Sequence, residues 1–527
     1  MRINRLIIPS YRNLRSFEID FDKSQSTTVL LGRNGSGKSN LIEAIVEIFR
    51  ELELGGAPDF NYTLVYECQG HSVTVMHDQS KPSRRLSVDV DGKRLTMKEL
   101  DARGHEFLPA HVFGYYSGWS GRLERTFEAP TRKRYRDLLA NPDDDLPFRR
   151  FFFCRREYSQ LALLAFFLSE DPEASALMER YLDIVGFESA LFVLKKPWWG
   201  GKRQGRADAD VEPAAWNATG AFLPFLRRLW GVALAPIRHD EEVARPIPRD
   251  RERTERIYLF VRDAAALLGL KAPHESPKAV FANLEALFLC DLVDEVRVVV
   301  RKRDGTRVRF TQLSEGEQQL LTVLGLLRFT QGDEALYLLD EPDTHLNPVW
   351  TYDFLKLLQD NIRATKGQLI VATHNPLMIG SLRKKQVRLL SVTEGRNAAV
   401  EPEHDPLGIG VEGLLKSEFY GLRSTLAPEV LSRIDQHYEL LGKENKTDEE
   451  QTKLAQLANE LNALGIARTH PNPYFEAFAT ALARRAPHAE PILTDAEIEE
   501  QTKLSDEILN EVIAEEEQQL RDREGLS

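Results

Sequence analysis

The chain has few of the features that mark secreted or membrane proteins. Its three cysteines, Cys68, Cys154 and Cys290, lie far apart in a chain of 527 residues and form no C-x-x-C pair. A disulfide framework or a zinc site is therefore not expected, and a reducing compartment fits. The longest apolar run, near residues 161–168, is far shorter than the ~20 residues of a membrane span. Because the first residues also lack the apolar core of a signal peptide, the sequence predicts a soluble, cytoplasmic protein with no membrane partner.

Net charge is also low over most of the chain. The formal net charge is −12, but residues 494–527, with twelve acidic and three basic side chains, carry −9 of it. The rest is close to neutral, which neither requires nor excludes contact with nucleic acid. Since 42% of the residues are apolar, globular cores can form, and the length predicts about three domains.

Residues 125–290 lack the sustained apolar heptads of a long coiled coil. They contain scattered prolines and compact apolar clusters, such as the phenylalanines of 151–153. We therefore expect a compact, mostly helical insertion here. A β-hairpin should follow, running from 296–300 to 308–310 with Asp304 and Gly305 in the turn.

The chain also lacks a recognisable nuclease. Residues 392–395, V-T-E-G, faintly resemble the first motif of a TOPRIM domain, but no D-x-D follows in the last third. We interpret them as the end of a core hairpin. Neither an H-N-H motif, nor P-D-(D/E)-x-K, nor a zinc-ligand spacing is found, so any nuclease activity would belong to a partner.

What the chain does have is a phosphate-binding loop. Residues 32–39 read G-R-N-G-S-G-K-S, a full match to G-x-x-x-x-G-K-[S/T], between a predicted strand at 28–31 and a helical pattern from 41. Glycines let backbone N–H groups converge on a phosphate, and the helix N-terminus adds partial positive charge. Lys38 would reach the β- and γ-phosphates as a catalytic residue, and Ser39 would bind Mg²⁺. The residues expected to bind ATP here are Asn34, Gly35, Ser36, Gly37, Lys38, Ser39 and Asn40. The alternative is a glycine-rich turn with no ligand.

A second motif, L-S-E-G-E-Q-Q, occupies residues 313–319. At a helix N-terminus, Ser314 and Gly316 can offer a hydroxyl and a backbone N–H to a γ-phosphate. Glu317, three residues after Ser314, also makes a capping box, and both interpretations can hold together. Because the chain's own P-loop holds the other side of the nucleotide, these groups would act on the ATP of a second subunit.

Two strands with polar ends complete the set of motifs. The apolar run 336–339 ends in Asp340 and Glu341. Asp340 would hold Mg²⁺, and Glu341 would orient and deprotonate the attacking water. The strand 368–372 is followed by Thr373 and His374. A strand end with solvated acids, or a structural histidine, is the alternative for each taken alone.

The order of these motifs resembles that of the ATP-binding-cassette (ABC) ATPases over about residues 1–120 and 290–400. Residues 342–348 resemble the D-loop, which implies that Asp343 couples two sites across a dimer. His374 resembles the switch histidine that contacts the γ-phosphate. The opening L-I-I-P-S-Y-R-N-L of residues 6–14 resembles the RecF/SMC branch, which implies that Arg12 contacts the nucleotide.

The resemblance implies an α/β fold, an ABC-ATPase head whose P-loop sheet is flanked by helices. We expect an N-terminal lobe at 1–124, the insertion at 125–290 and a C-terminal lobe at 291–403. A helical hairpin extension at 404–488 and an acidic tail at 489–527 would follow. One departure is the Q-loop: residues 112–118 fall where it should lie but contain no glutamine, and Gln69 falls in a predicted hairpin.

The insertion contains basic islands, at 132–134, 149–150, 155–156 and 195–203. The last interleaves tryptophans with cations, which suits stacking on DNA or RNA. An ordinary arginine-rich surface is the alternative, because acidic residues are nearly as frequent nearby.

The C-terminal region predicts two amphipathic helices, with apolar faces at 430–441 and 454–464. With the preceding G-I-G-V-E-G-L-L and E-F-Y-G-L-R-S-T of residues 408–425, it resembles the ATPase subunit of Septu-type bacterial antiphage systems. Similar ATPases occur with retrons. This resemblance implies a Mg²⁺-dependent ATPase that forms an ATP-sandwiched homodimer and regulates an HNH nuclease encoded nearby. The alternative is a RecF/SMC-like ATPase that acts directly on DNA in repair or chromosome maintenance.

Overall fold

The computed structural model of the chain consists of two units. It describes residues 1–81, 85–140, 148–169, 172–199, 212–244, 251–329, 333–363, 366–393, 395–443, 445–464, 500, 503–511 and 514. The first unit comprises Met1–Met378 and Lys385–Glu401, and the second comprises Ile379–Lys384 and Pro402–Ser527.

The described strands and helices are numbered in chain order. The strands are β1 Arg2–Tyr11, β2 Leu14–Asp20, β3 Thr27–Gly32, β4 Tyr62–Cys68, β5 His71–His77, β6 Leu86–Val90, β7 Lys93–Leu95, β8 His111–Tyr116, β9 Phe151–Phe153, β10 Ile184–Lys195, β11 Ile237–Ala244, β12 Arg251–Val261, β13 Val293–Lys302, β14 Arg307–Arg309, β15 Ala335–Asp340, β16 Gln368–Ala372, β17 Val387–Thr393 and β18 Arg396–Val400. The helices are α1 Lys38–Glu53, α2 Met97–Phe107, α3 Arg122–Thr126, α4 Glu128–Ala140, α5 Tyr158–Phe167, α6 Pro172–Leu182, α7 Leu223–Val232, α8 Ala264–Leu268, α9 Pro277–Leu289, α10 Glu315–Phe329, α11 Pro348–Arg363, α12 Pro376–Ile379, α13 Gly410–Lys416, α14 Pro428–Gly442 and α15 Asp448–Ala463.

The sheet that positions the site has seven strands in the order β18-β17-β3-β16-β15-β8-β9. Apart from the antiparallel β17–β18 pair, its neighbours run parallel. All residues of β15 and β16 are buried, as expected for strands covered on both faces. Since β16 pairs with both β3 and β15, the carboxyl ends of these three strands meet at one edge. The α/β class and the strands expected around the motifs are confirmed.

A second sheet is antiparallel, with the order β2-β1-β4-β5-β6-β7. Its apolar face and one face of α1 contribute to a single core cluster, to which Ile8, Leu64 and Ile45 belong. Gln69 and Gly70 form the turn between β4 and β5, both with positive φ. The expectation that Gln69 lies in a hairpin is thereby confirmed.

The third sheet has the order β11-β12-β10-β13-β14. The hairpin expected from the Asp304-Gly305 turn is present, with Gly305 at φ +83°. The insertion contains the expected helices, but it also contributes β9 to the seven-stranded sheet and β10, β11 and β12 to this sheet, and none of these strands was predicted from the sequence. The pairing of β10 with β13 shifts register three times, and such irregularities disturb the alternation of apolar and polar residues that identifies a strand.

A buried ion pair lies inside the insertion. The Arg149 and Glu285 side chains, 6% and 4% exposed, lie 2.7 Å apart. Arg149 also donates to Thr131 Oγ1 at 2.9 Å and stands over the Phe152 ring at 4.4 Å. Burial raises the pKa of Glu285, while Arg149 opposes the shift.

We expect Glu285→Ala to destabilise the first unit by about 3–5 kcal/mol, because it leaves the Arg149 charge buried without a counter-ion. Denaturant-induced unfolding, followed by circular dichroism, measures the change. The control is Glu128→Ala, which removes the exposed i,i+4 partner of Arg132 and should cost less than ~0.5 kcal/mol. Equal, small effects of the two substitutions would contradict the prediction.

The second unit contains α13, α14 and α15. The two long amphipathic helices expected from the sequence are confirmed, and they pack against each other. The α15 N-terminus has a capping box between Thr447 and Glu450. Most of the acidic segment 489–527, including Val512 and Ile513, lies outside the described residues. Among the helices that the structure describes, none is long and apolar enough to cross a membrane.

Candidate nucleotide-binding site

The P-loop adopts a conformation that requires glycine. Gly32, Gly35 and Gly37 have φ values of +152°, +84° and +108°. A Cβ atom on Gly37 would come within 2.5 Å of a Leu14 methyl, and one on Gly32 within 2.7 Å of Ser36 Oγ. The loop therefore holds its shape through close backbone approach that larger residues would prevent.

Two asparagines brace this loop from outside the motif. Asn397, which is buried on β18, donates from Nδ2 to the Ser36 carbonyl at 3.0 Å and accepts the Arg15 backbone N–H at 2.9 Å. Asn13 donates to the Gly35 carbonyl. No sequence pattern predicts this role of Asn397, since nothing local distinguishes it from any other asparagine near a turn.

Lys38, at the start of α1, is buried and points back into the loop. Its Nζ donates to the Gly32 carbonyl at 2.7 Å and to the Arg33 carbonyl at 3.4 Å. Burial lowers the pKa of Lys38, while Asp340 and Glu341 oppose the shift. Residues 33–35 are exposed, so the outer face of the loop is open to a ligand.

Asp340, at the end of β15, is buried beside Ser39. Burial raises the pKa of Asp340 to about 6, the Ser39 hydroxyl lowers it by hydrogen bonding, and the nearby Glu341 raises it. A hard cation would offset the cost of a buried carboxylate, and hydroxyl and carboxylate oxygens are the ligands that Mg²⁺ prefers. Within the described residues no three His, Cys, Asp or Glu side chains cluster as a metal site.

Glu341 and His374 face each other at the same edge. The His374 Nδ1 lies 3.1 Å from the Glu341 carboxylate, and both side chains are partly exposed, at 61% and 31%. Glu341 has a left-handed backbone with φ +51°, and its N–H donates to the Ala372 carbonyl at 2.8 Å. Such strain costs about 1–3 kcal/mol and concentrates at functional sites.

The D-loop segment connects this edge to the helix of the second motif. Thr373 Oγ1 donates to the buried Asp343 carboxylate at 3.0 Å, and burial raises the pKa of Asp343. A Cβ on Gly316 would come within 2.6 Å of the His345 carbonyl oxygen. Gln319 donates to the Pro342 carbonyl. The first turns of α10 thus pack directly on the D-loop of the same chain.

Ser314 and Glu317 form the expected capping box, which is confirmed. The Ser314 N–H donates to the Glu317 carboxylate at 2.7 Å, and the Glu317 N–H donates to Ser314 Oγ at 3.2 Å. Glu317 also pairs with Lys302 at 3.1 Å. Over the ranges that the structure describes, no hydrogen bond or ion pair joins Ser314 or Glu317 to the P-loop, and Ser314 is exposed.

Arg12 lies beside the first turn of α1, where it forms an ion pair with the buried Glu43. Asn40 accepts a hydrogen bond from Arg12 Nη1 at 3.5 Å. Arg122, which was not predicted from the sequence, lies 3.1 Å from the other Glu43 oxygen and also donates to Asn40. Two guanidinium groups therefore flank the P-loop helix.

The segment without a Q-loop glutamine does lie at the site. Tyr116 pairs with Asp340 between β8 and β15. The Ser117 N–H donates to the Asp340 carbonyl at 3.4 Å, and the hydroxyls of Ser117 and Thr344 are hydrogen-bonded at 2.8 Å. Burial, then the carboxylates of Asp340 and Glu341, raise the pKa of Tyr116. A serine thus connects this segment to the D-loop.

Two family models match separate parts of the chain. Residues 1–91 match an AAA ATPase domain. Residues 219–380 match an AAA domain described as a putative AbiEii toxin of a type IV toxin–antitoxin system. The first match contains the P-loop, and the second contains Ser314, Asp340, Glu341 and His374.

Curated relatives add a narrower likeness. The Septu protein PtuA of Bacillus mycoides is 28% identical over 191 residues, which are 34% of this chain and 26% of that protein. The chain resembles the Septu ATPases. A probable ATPase of retron Vc95 from Vibrio cholerae is 22% identical over 162 residues, 29% of this chain and 31% of that protein. The matched stretches thus span about a quarter of the PtuA protein and about a third of the retron ATPase. These two matches confirm the resemblance drawn from the motifs.

Among solved structures, the SMC head domain from Thermotoga maritima aligns with 76% of this chain and with all of that chain. The two are 16% identical, and the TM-score is 0.33.

Proposed function

We propose that the chain binds and hydrolyses Mg²⁺·ATP, and that two copies close around two ATP molecules. The observation that carries the proposal is the convergence of Lys38, Ser39, Asp340, Glu341 and His374 at one edge of the seven-stranded sheet. Asp340 ends β15, Glu341 and His374 follow β15 and β16, and the P-loop with the start of α1 follows β3. The carboxyl ends of these three strands are adjacent. A phosphate-binding loop, two metal-binding oxygens and a carboxylate base are the parts that phosphoryl transfer to water requires.

Each residue has a defined role in this proposal. The phosphates bind to the backbone N–H groups of residues 34–40 and to the Lys38 ammonium. To reach them, Lys38 gives up its hydrogen bonds to the Gly32 and Arg33 carbonyls. Ser39 and Asp340 would hold Mg²⁺, which would neutralise charge that develops on the phosphates. Glu341 orients a water molecule and takes its proton, while His374 holds the Glu341 carboxylate in place and reaches the γ-phosphate.

The second copy is needed because, in the described part of the chain, Ser314 and Gly316 of the second motif do not contact the P-loop of their own chain. Ser314 and Gly316 begin a helix that packs on the D-loop of its own chain, and Ser314 is exposed. In the proposed dimer they contact the γ-phosphate held by the other copy, with Glu317 as cap, and Asp343 couples the two sites. Arg12 and Asn40 complete the nucleotide contacts beside α1.

The proposed biological role rests on the resemblance to PtuA. We propose that nucleotide state sets the geometry of the dimer and so controls an effector nuclease, of HNH type, in antiphage defence. The test is purification of a tagged chain from its native operon with and without ATP·Mg²⁺, followed by mass determination and a nuclease assay. A stoichiometric partner whose cutting depends on nucleotide supports this role, and a bare homodimer contradicts it.

The second candidate, direct action on DNA, is less favoured by the basic islands. Arg155 lies 2.8 Å from Glu124, Arg150 3.0 Å from Glu53, and Lys195 2.7 Å from Asp291. These cations are already balanced by carboxylates, which weakens their attraction for phosphates. Residues 200–203 of the last island lie outside the described residues. Hydrolysis that rises with added DNA and falls steeply with salt would support this candidate.

Asn397→Ala should weaken ATP binding about tenfold. The substitution leaves the Ser36 carbonyl without its donor, and an unpaired buried group costs about 1–3 kcal/mol. Part of this cost would appear as weaker ATP binding, because the loop would be held less firmly in its binding conformation. Calorimetric titration with ATP·Mg²⁺ measures the Kd. Asn462→Ala, on the exposed face of α15, is the control. A folded Asn397→Ala protein with unchanged affinity would show that the bracing has no role in binding.

A further inference from the structure

Trp119 is the most exposed large apolar side chain of the described residues, with a relative exposure of 105%. It stands in the segment S-G-W-S-G of residues 117–121, between β8 and α3. Tryptophan is usually buried over most of its surface, and a buried indole removes about 150–250 Å² from water. An indole held wholly in solvent is therefore a candidate contact.

The position of Trp119 is tied to the catalytic edge. Two residues earlier, Ser117 is hydrogen-bonded to the Thr344 hydroxyl and to the Asp340 carbonyl. Thr344 in turn donates to the Glu341 carbonyl at 3.0 Å. The base of the loop that carries Trp119 is thus fixed to the two residues proposed for metal binding and water activation.

Trp119 also shares a cavity with the elements proposed to face the other copy. A cavity of about 540 Å³ is lined by Trp119, by Glu315 and Gln319 of α10, and by His345 of the D-loop. Arg156 lines it as well, with 65% of its side chain exposed, and contacts Gln318 at 3.0 Å. The indole therefore borders the same open region as the first turn of α10.

We propose that Trp119 anchors the contact between two copies of this chain, so that each indole becomes buried on the partner when the copies close around ATP. The inference rests on the proposed nucleotide sandwich. A second copy is the occupant because Trp119, Glu315 at the start of α10 and His345 of the D-loop border one region, and in the proposed sandwich that region meets the other P-loop. In a two-fold dimer each copy places its own Trp119 in the interface, so the contact occurs twice. Aromatic rings and exposed guanidinium groups, such as Arg156, are favourable surfaces for an indole.

The test uses the full chain with Glu341→Gln, in which bound ATP persists. Sedimentation velocity over a concentration series gives the dimer Kd with ATP·Mg²⁺, and calorimetry gives the ATP affinity. Trp119→Ala in this background should weaken dimerisation at least about 30-fold, which corresponds to ~2 kcal/mol, the threshold for an interface hot spot. ATP affinity at concentrations where the chain is monomeric should be unchanged. Trp198→Ala, which removes a 71% exposed indole of the insertion, is the matched control and should leave the dimer Kd unchanged.

Three outcomes would overturn the inference in distinguishable ways. If Glu341→Gln binds ATP but remains monomeric, the sandwich and the Trp119 contact both fail. If it dimerises equally well with and without Trp119, only the Trp119 contact fails. If Trp119→Ala leaves the dimer intact but releases a protein that co-purifies with the chain, the indole serves that partner instead.

Discussion

Glu341→Gln should reduce ATP hydrolysis by about 10²–10⁴-fold while ATP binding remains within about twofold of the original. An amide cannot take the proton of the attacking water, and loss of a general base costs about this factor. Glutamine has nearly the same shape as glutamate and can still accept a hydrogen bond from His374 when that ring presents an N–H. Since the substitution leaves the backbone at position 341 unchanged, its left-handed conformation is no more strained than before.

Phosphate release under steady-state conditions measures the loss, and light scattering after gel filtration measures the mass. With ATP·Mg²⁺ the variant should accumulate as a species of twice the monomer mass, and without nucleotide it should not. Glu429→Gln, an exposed residue in the first turn of α14, is the control and should hydrolyse ATP at the normal rate. Substantial hydrolysis by Glu341→Gln would mean that another group activates the water.

Lys38→Ala should weaken ATP binding by at least about 100-fold. The ammonium makes charge-assisted hydrogen bonds to phosphate, and each hydrogen bond to a charged group is worth about 1.5–3 kcal/mol. The substitution also removes a positive charge that lies close to Asp340 and Glu341, so the phosphates would meet a more negative site.

Calorimetry or displacement of a fluorescent ATP analogue gives the affinity, and thermal melting shows that the variant is folded. Lys23→Ala, which removes an exposed cation near Glu67, should bind ATP normally. Unchanged ATP affinity in a folded Lys38→Ala protein would refute the assignment of residues 32–39 as the nucleotide site.

The parts of the site that the sequence predicted share one property. The P-loop, the Asp340-Glu341 pair and His374 each follow a short, strongly apolar strand, and a parallel sheet with both faces covered requires such strands. Local patterns therefore sufficed to place these residues at strand ends. Their proximity was implied by the resemblance to the ABC ATPases. In the structure it arises because β3, β16 and β15 are adjacent parallel strands that end at the same edge.

What the sequence did not predict depends on contacts between distant residues. Asn397 braces the P-loop from β18, and Arg122 shares Glu43 with Arg12. An asparagine or arginine gives no periodic signal, so its partner is known only from the fold. Strands β10 to β12 were missed for a related reason. Register shifts in the pairing with β13 disturb the alternation along β10, while β11 (I-R-H-D-E-E-V-A) and the first six residues of β12 (R-E-R-T-E-R) contain few apolar residues.

The central sheet also constrains how the protein can be made. Strand β3 ends at Gly32, yet both of its neighbours, β16 and β17, begin only at Gln368 and Val387. At synthesis rates of ~5–20 residues per second, β3 waits on the order of tens of seconds on the ribosome for either of them. During that time the backbone N–H and C=O groups of this apolar strand are unpaired on both edges, a state that favours aggregation and chaperone capture. A ribosome that stops before residue 368 would thus release a chain that has its P-loop sequence but not the strands that shape it.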